Sequence, residues 1–148
     1  MWVSSPDYYE DFLSKGHYFI SGAEELLESI YKKYNLYLVT NGITKVQRGR
    51  IKSAGLKKYF KDIFISEEIG YDKPNIEYFE HCFKKIESFE REKTVIIGDS
   101  LSSDIKGGIN AEIKTIWFNS KKEIGNAFFK SDYEISSLKE VERLLEQI

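Results

Sequence analysis

Cysteine is nearly absent from this chain: Cys82 is the only one in 148 residues. A single thiol makes neither an internal disulfide framework nor a cysteine zinc site. Long apolar runs are missing as well, and none approaches the roughly 20 residues that cross a bilayer. The opening stretch MWVSSPDYYED lacks a basic region followed by an apolar one, so no secretory signal is expected and the expected compartment is the cytoplasm. Charge of one sign is not in excess. A formal net charge of −2 gives no electrostatic case for a nucleic acid or an anionic membrane as partner. Local basic pairs such as Lys57-Lys58 and Lys121-Lys122 read as solvated faces. There is no internal repeat and no low-complexity tract. What is present is a globular composition rich in Tyr and Phe, of a length that supports one domain with a real core.

Helical and strand patterns alternate along that core. In SGAEELLESIYKKY the apolar positions Ala23, Leu26, Leu27, Ile30 and Tyr31 follow helical spacing, with Ser21 and Glu24 as a capping box. Residues Asn35 to Thr40 read as a strand broken by Asn41-Gly42. A second helix follows through Ile43, Val46, Arg50, Ile51 and Ala54, with Gly55 as its stop. DIFIS is a short strand. NIEYFEHCFKKIE is helical, with Ile76, Phe79, Phe83 and Ile86 on one face and Asn75 as N-cap. Then come the strand KTVIIG, a short helix SSDIKGGIN, the strand IKTIWFN and a strand candidate DYEI. The last helix carries a capping box at Ser137 and Glu140, and turns Leu138, Val141, Leu144, Leu145 and Ile148 inward. Such alternation predicts an α/β fold: a Rossmann-like three-layer parallel sheet with helices on both faces. Working residues in such sheets lie on loops at the carboxyl ends of strands. Residues 1–20 do not join the alternation and read as a linker or the remnant of a helical cap; 21–148 read as the α/β core.

Three loops at strand ends or helix starts carry chemistry. Thr40, Asn41 and Gly42 offer a hydroxyl, an amide and backbone N–H groups, a donor-rich nest for an anion; a plain Asn-Gly turn is the alternative. Lys73, fixed by Pro74, would neutralise a phosphate or a developing negative charge; a surface lysine before a helix is the alternative. In VIIGDSLSSD, Gly98 lets the strand turn and Asp99 would project into the site, with Asp104 returning to it. Two carboxylates beside Ser hydroxyls suit Mg²⁺; a turn acid and a helix-start acid are the alternatives. A phosphate bridging donors, lysine and Mg²⁺ would use all three loops.

The strings LYLVTNG, YDKPN and VIIGDSLSSD resemble, in order and spacing, the second, third and fourth motifs of the haloacid dehalogenase-like hydrolase superfamily. The resemblance runs from about Tyr18 to the end. It implies that Thr40 binds the transferring phosphoryl oxygen, that Lys73 stabilises charge on it and on the nucleophile, that Asn41 and Gly42 bind substrate, and that Asp99 and Asp104 hold Mg²⁺. The fuller strings TNGITKVQ, ISEEIGYDKP and GDSLSSDIKGGINA resemble the bacterial pyrimidine 5′-nucleotidase branch, which implies a nucleoside monophosphate, a small phosphorylated metabolite, as substrate. Asn75-Ile76 stands where the family often has Asp-Pro, and Glu112 where it often has Gly.

One departure is large. The family's first motif is a strand ending in Asp-x-Asp, which supplies the nucleophile and the general acid–base residue. Only 39 residues precede Thr40, and none form an apolar strand with that ending; Asp7 and Asp11 lie in polar, turn-like SSPDYYEDF. Transfer through an aspartyl-phosphate needs that carboxylate. The resemblance also places the missing strand centrally, between the strands ending at Thr40 and Gly98. A gap there would leave two neighbours about twice the usual ~4.8 Å apart, with unpaired edges. The expectation is therefore a carboxyl-terminal portion of a phosphate-monoester hydrolase, lacking the central strand and most of the cap, and inactive alone. Half of a split enzyme completed by a partner chain, and a non-catalytic binding or assembly module that self-associates, are the alternatives. Sugar-phosphate phosphatase, phosphomutase and dehalogenase are rivals within the family. A receiver domain would need its acid pair near the first strand, ahead of Thr and Lys, so the order here speaks against it.

Overall fold

The computed structural model describes the backbone of residues 2–4 and all of residues 22–148. Alternating apolar residues along each strand decide the layering. In β2 (Tyr37–Thr40), β3 (Asp62–Ile65) and β4 (Val95–Gly98), Leu38, Ile63, Ile65, Val95 and Ile97 point to one face. Val39, Phe64 and Ile96 point to the other. Successive side chains on a strand leave opposite faces, so a sheet buried on both sides needs both sets apolar. The first face is covered by α1 (Ala23–Ile30), α2 (Thr44–Ser53) and α6 (Val141–Leu145), through Leu27, Ile30, Ile51, Val141 and Leu145. The second is covered chiefly by α4 (Ile76–Lys85), through Tyr78, Phe79, Cys82 and Phe83. Each fully buried side chain of this size contributes about 1.5–3 kcal/mol.

A short α3 (Ser66–Ile69) follows β3, and α5 (Lys106–Asn110) precedes β5 (Lys114–Phe118) and β6 (Tyr133–Ile135). α5 lies close on the sheet because Gly108 has no side chain: a Cβ there would meet Ile96 and Thr115 at 2.5 and 2.6 Å. The C-terminal capping box forms as expected, with Ser137 and Glu140 exchanging bonds. Gly55 takes φ +66°, the left-handed conformation of a helix stop. At α1 the N-cap position is Gly22, φ +85°, with no side-chain cap; Ser21 lies outside the described residues. Asn75 occupies the N-cap of α4, but its side chain makes no capping bond.

The sheet is parallel throughout, in the order β3-β2-β1-β4-β5-β6, which is the expected α/β architecture. The expected central gap is not there. β1, Trp2–Ser4, pairs with β2 (Trp2 with Tyr37, Ser4 with Val39) and with β4 (Trp2 with Ile96, Val3 with Ile97). So the first residues do join the sheet, contrary to their reading as linker or cap remnant. A parallel edge left open on both neighbours is costly, and three residues are enough to satisfy it. Nothing in a stretch as short as Trp2–Ser4, followed by Ser5-Pro6, shows strand periodicity. Pairing along β1 stops one residue short of Thr40 and of Gly98.

Candidate active site

Lys73 is the centre of the arrangement. Its side chain is 2 % exposed, and its Nζ donates to Asp104 Oδ1 at 2.7 Å and to the Val39 carbonyl at 3.2 Å. A buried ammonium is tolerable only with a counter-charge and further acceptors, and both are present. The backbone of Lys73 is held as firmly. Its N–H donates to Asn41 Oδ1 at 2.9 Å, and its carbonyl accepts from Asn41 Nδ2 at 3.1 Å. The Lys73–Pro74 peptide is cis. One side-chain amide thus fastens the loop after β2 to the loop carrying the lysine. Both ends of the Asn41 amide help place Lys73.

Thr40, 2 % exposed, closes β2. Its backbone N–H donates to the Tyr78 hydroxyl at 3.1 Å, and that hydroxyl donates to the Phe64 carbonyl at 2.7 Å. A phenol from α4 therefore links the carboxyl ends of β2 and β3. Burial pushes the Tyr78 phenol well up, so it keeps the proton it donates. The Thr40 hydroxyl donates to the Asn41 carbonyl at 3.2 Å, long for an O–H···O bond. A phosphoryl oxygen is a stronger acceptor, and the rotor can turn to it. Gly42 N–H donates to Ser66 Oγ at 2.9 Å, and the first N–H of α2, on Thr44, donates to Glu67 Oε2 at 2.6 Å. Two backbone donors after β2 are thus bonded to side chains of α3.

Asp99 and Asp104 differ. Asp104 is fully buried; one oxygen faces Lys73 and the other accepts from Ser100 N–H at 3.2 Å. The cation it faces here is the Lys73 ammonium. Gly98 makes this possible, because a Cβ there would collide with the Asp104 carboxylate. Asp99 is half-buried at the strand end, with its carbonyl accepting from Trp117 Nε1 at 2.9 Å. Among the described residues no three His, Cys, Asp or Glu side chains cluster as a metal cage. The donor set fits a hard ion held by Asp99 with substrate oxygens and water, the way Mg²⁺ is commonly bound, rather than an all-protein site. Asp7 and Asp11 lie outside the described residues.

Three site residues escaped the sequence. Tyr78 sat unremarked among apolar neighbours; the signal was a Tyr in a buried helical face, whose hydroxyl must find a partner. Ser66 reads as a strand end. Gln47 is 2 % exposed and donates to the Asn41 carbonyl at 3.0 Å. Its burial corrects part of the face predicted for α2: Ile51 is buried as expected, but Ile43 and Val46 are exposed and Gln47 is buried. A helical period places either set inward, and the carbonyl of Asn41 selects the amide.

Comparison with known proteins agrees with this geometry. Residues 4–118 match the haloacid dehalogenase-like hydrolase family. The chain is 40% identical over 134 residues to a pyrimidine 5′-nucleotidase, PynA, of Streptococcus pneumoniae, covering 90% of this chain and 56% of that protein. It is 35% identical over 126 residues to the pyrimidine 5′-nucleotidase YjjG of Escherichia coli, covering 85% and 56%. A crystal structure of the HAD-hydrolase YfnB from Bacillus subtilis, bound to magnesium, superposes with a TM-score of 0.87 at 42% identity, covering 94% of this chain and 61% of that one. The chain thus spans a little over half the length of these relatives. No helix among the described residues is long and apolar enough to cross a membrane.

Proposed function

Since the chain belongs to the haloacid dehalogenase-like hydrolase family, we propose that it forms the phosphate-binding core of a Mg²⁺-dependent phosphate-monoester hydrolase for nucleoside monophosphates, inactive without a nucleophilic carboxylate. The observation that carries this is the buried Lys73 ammonium, held by Asp104 and Val39 at the carboxyl end of the sheet beside Thr40 and Asp99. A cation fixed there stabilises a negatively charged phosphoryl group without reorganising. Thr40 would bind a phosphoryl oxygen through its hydroxyl. Asp104 and Asn41 would keep Lys73 aimed, and Asp99 would hold Mg²⁺. A bound Mg²⁺ supplies charge neutralisation on the phosphoryl oxygens. Substrate class rests on the pyrimidine nucleotidases that the chain resembles. A cytoplasmic setting belongs to the same reading, with Cys82 a free buried thiol.

The test is calorimetric titration with inorganic phosphate in the presence of Mg²⁺, with an aryl phosphate assay alongside. Saturable phosphate binding that Lys73→Met abolishes, together with no turnover, is the expected result. Robust turnover lost in Asp99→Asn would refute inactivity of the chain alone. A second reading is a binding or assembly module without turnover. Absence of any phosphate binding would favour it.

A further inference from the structure

The peptide that joins Asp99 to Ser100 is held at both of its polar ends. Its carbonyl, on Asp99, accepts from the Trp117 indole Nε1–H at 2.9 Å. Its N–H, on Ser100, donates to Asp104 Oδ2 at 3.2 Å. The other oxygen of Asp104 pairs with Lys73. The two partners come from different elements. Trp117 lies on β5, as the register partner of Gly98, the residue just before Asp99. Asp104 lies in the helical turn Leu101–Ile105 that precedes α5. Gly98 lets Asp104 come this close, since a Cβ there would meet the Asp104 Cβ at 2.5 Å. A side chain at 98 would displace the carboxylate from the peptide it holds.

We infer that Trp117 is a positioning residue for Asp99: its indole N–H fixes the direction in which Asp99 presents its carboxylate to Mg²⁺. The inference rests on the metal-binding role proposed for Asp99. A peptide unit is planar, so bonds to both of its polar atoms fix its plane. β4 fixes the chain on the other side of Asp99. Its Cα–Cβ bond is therefore set from both directions. Burial alone explains why Trp117, 4 % exposed, gives its N–H some acceptor. The acceptor it takes is the carbonyl of the candidate metal ligand, on the neighbouring strand's end. Mg²⁺ demands strict octahedral geometry, so a ligand that is already oriented binds it better than one that must be ordered. Through Asp104 the same bonds reach Lys73, so the metal end and the phosphate end of the site share one support.

Two calorimetric titrations of the 148-residue chain test this: Mg²⁺ in the presence of inorganic phosphate, and inorganic phosphate without Mg²⁺. The decisive variant carries benzothienylalanine in place of Trp117, which keeps the shape of the indole and has sulfur where the N–H was. Its Mg²⁺ affinity is expected to fall about tenfold, the effect of losing a group that orients a metal ligand. Its phosphate affinity without Mg²⁺ should not change. Trp117→Phe, which also loses packing, should show the same Mg²⁺ defect together with a lower urea midpoint. Unchanged Mg²⁺ affinity in the benzothienylalanine form, with Asp99→Asn abolishing Mg²⁺ binding, overturns the positioning role and leaves Asp99 as the ligand. Equal losses of Mg²⁺ and phosphate affinity make Trp117 a packing residue and overturn it as well. No Mg²⁺ binding by the unsubstituted chain, or binding that survives Asp99→Asn, overturns the role of Asp99 and the inference with it.

Discussion

Lys73 and Asp104 form an ion pair whose side chains are 2 and 1 % exposed, so each is the reason the other is tolerated. Removing one partner strands a buried charge. Asp104→Ala is expected to cost about 3–5 kcal/mol, read as a fall in the urea midpoint. Tyr78 makes a subtler case. Tyr78→Phe leaves the Thr40 N–H and the Phe64 carbonyl without the hydroxyl that joins them, a loss of about 1–3 kcal/mol. Faster hydrogen exchange at the Thr40 amide is the specific sign. Glu112 sits at φ +55°, in the left-handed region where the family often carries Gly. Glu112→Gly removes that strain and is expected to stabilise by about 1 kcal/mol in urea unfolding, after the greater freedom of Gly in the unfolded chain is offset.

The Gly42 turn and α2 are clamped to α3. Gly42 bonds Ser66, Thr44 bonds Glu67, and Arg48 makes two bonds to Glu68 at 2.7 and 2.8 Å. The backbone N–H of Thr44 holds the Glu67 carboxyl below its ordinary value of 4.5. A lowered carboxylate contributes stability above its unfolded pKa and loses it as pH falls through the folded one. The clamp should therefore hold at pH 6 and weaken below about pH 4.5. Glu67→Gln is expected to flatten that part of the urea-midpoint profile, with a small effect because the group is solvent-exposed. At this scale the sequence was informative in a particular way. Strands and helices were legible because alternation and helical spacing report burial directly. The α2 face was legible only in part: Ile51 is buried as read, but Ile43 and Val46 match the helical period as well as Gln47 does. Which set turns inward depends on the Asn41 carbonyl that Gln47 meets across the loop. Asp104 was legible as a site acid, but its partner was not. Lys73 lies 31 residues away, and only the fold brings them to 2.7 Å.

In the whole molecule, two apolar layers enclose a parallel sheet whose carboxyl ends meet at Thr40, Lys73 and Asp99. Cys82, buried in the second layer under α4, reports on that enclosure. Burial pushes its thiol well up, so little thiolate exists at neutral pH. Thiol labelling is expected to be negligible in the folded protein and to follow unfolding in urea. The order of chemistry along the chain and the layer count were both readable before the structure. The occupant of the central strand position was not, because Trp2–Ser4 is too short to carry a period. That strand completes the sheet, and the sequence after it, Ser5-Pro6-Asp7, does not supply Asp-x-Asp.

The central proposal is that Thr40, Lys73 and Asp99 make up the phosphate- and metal-binding part of a phosphoryl-transfer site. Its most direct test joins residues 22–148 to the amino-terminal region of the Bacillus subtilis relative, which this chain matches at 42% identity. Hydrolysis of uridine 5′-monophosphate is then measured with and without Mg²⁺. The expected result is Mg²⁺-dependent turnover by the chimaera, absent from the 148-residue chain and lost in the Lys73→Met and Asp99→Asn forms of the chimaera. A folded chimaera that binds Mg²⁺ and phosphate yet turns over no phosphate ester would contradict it.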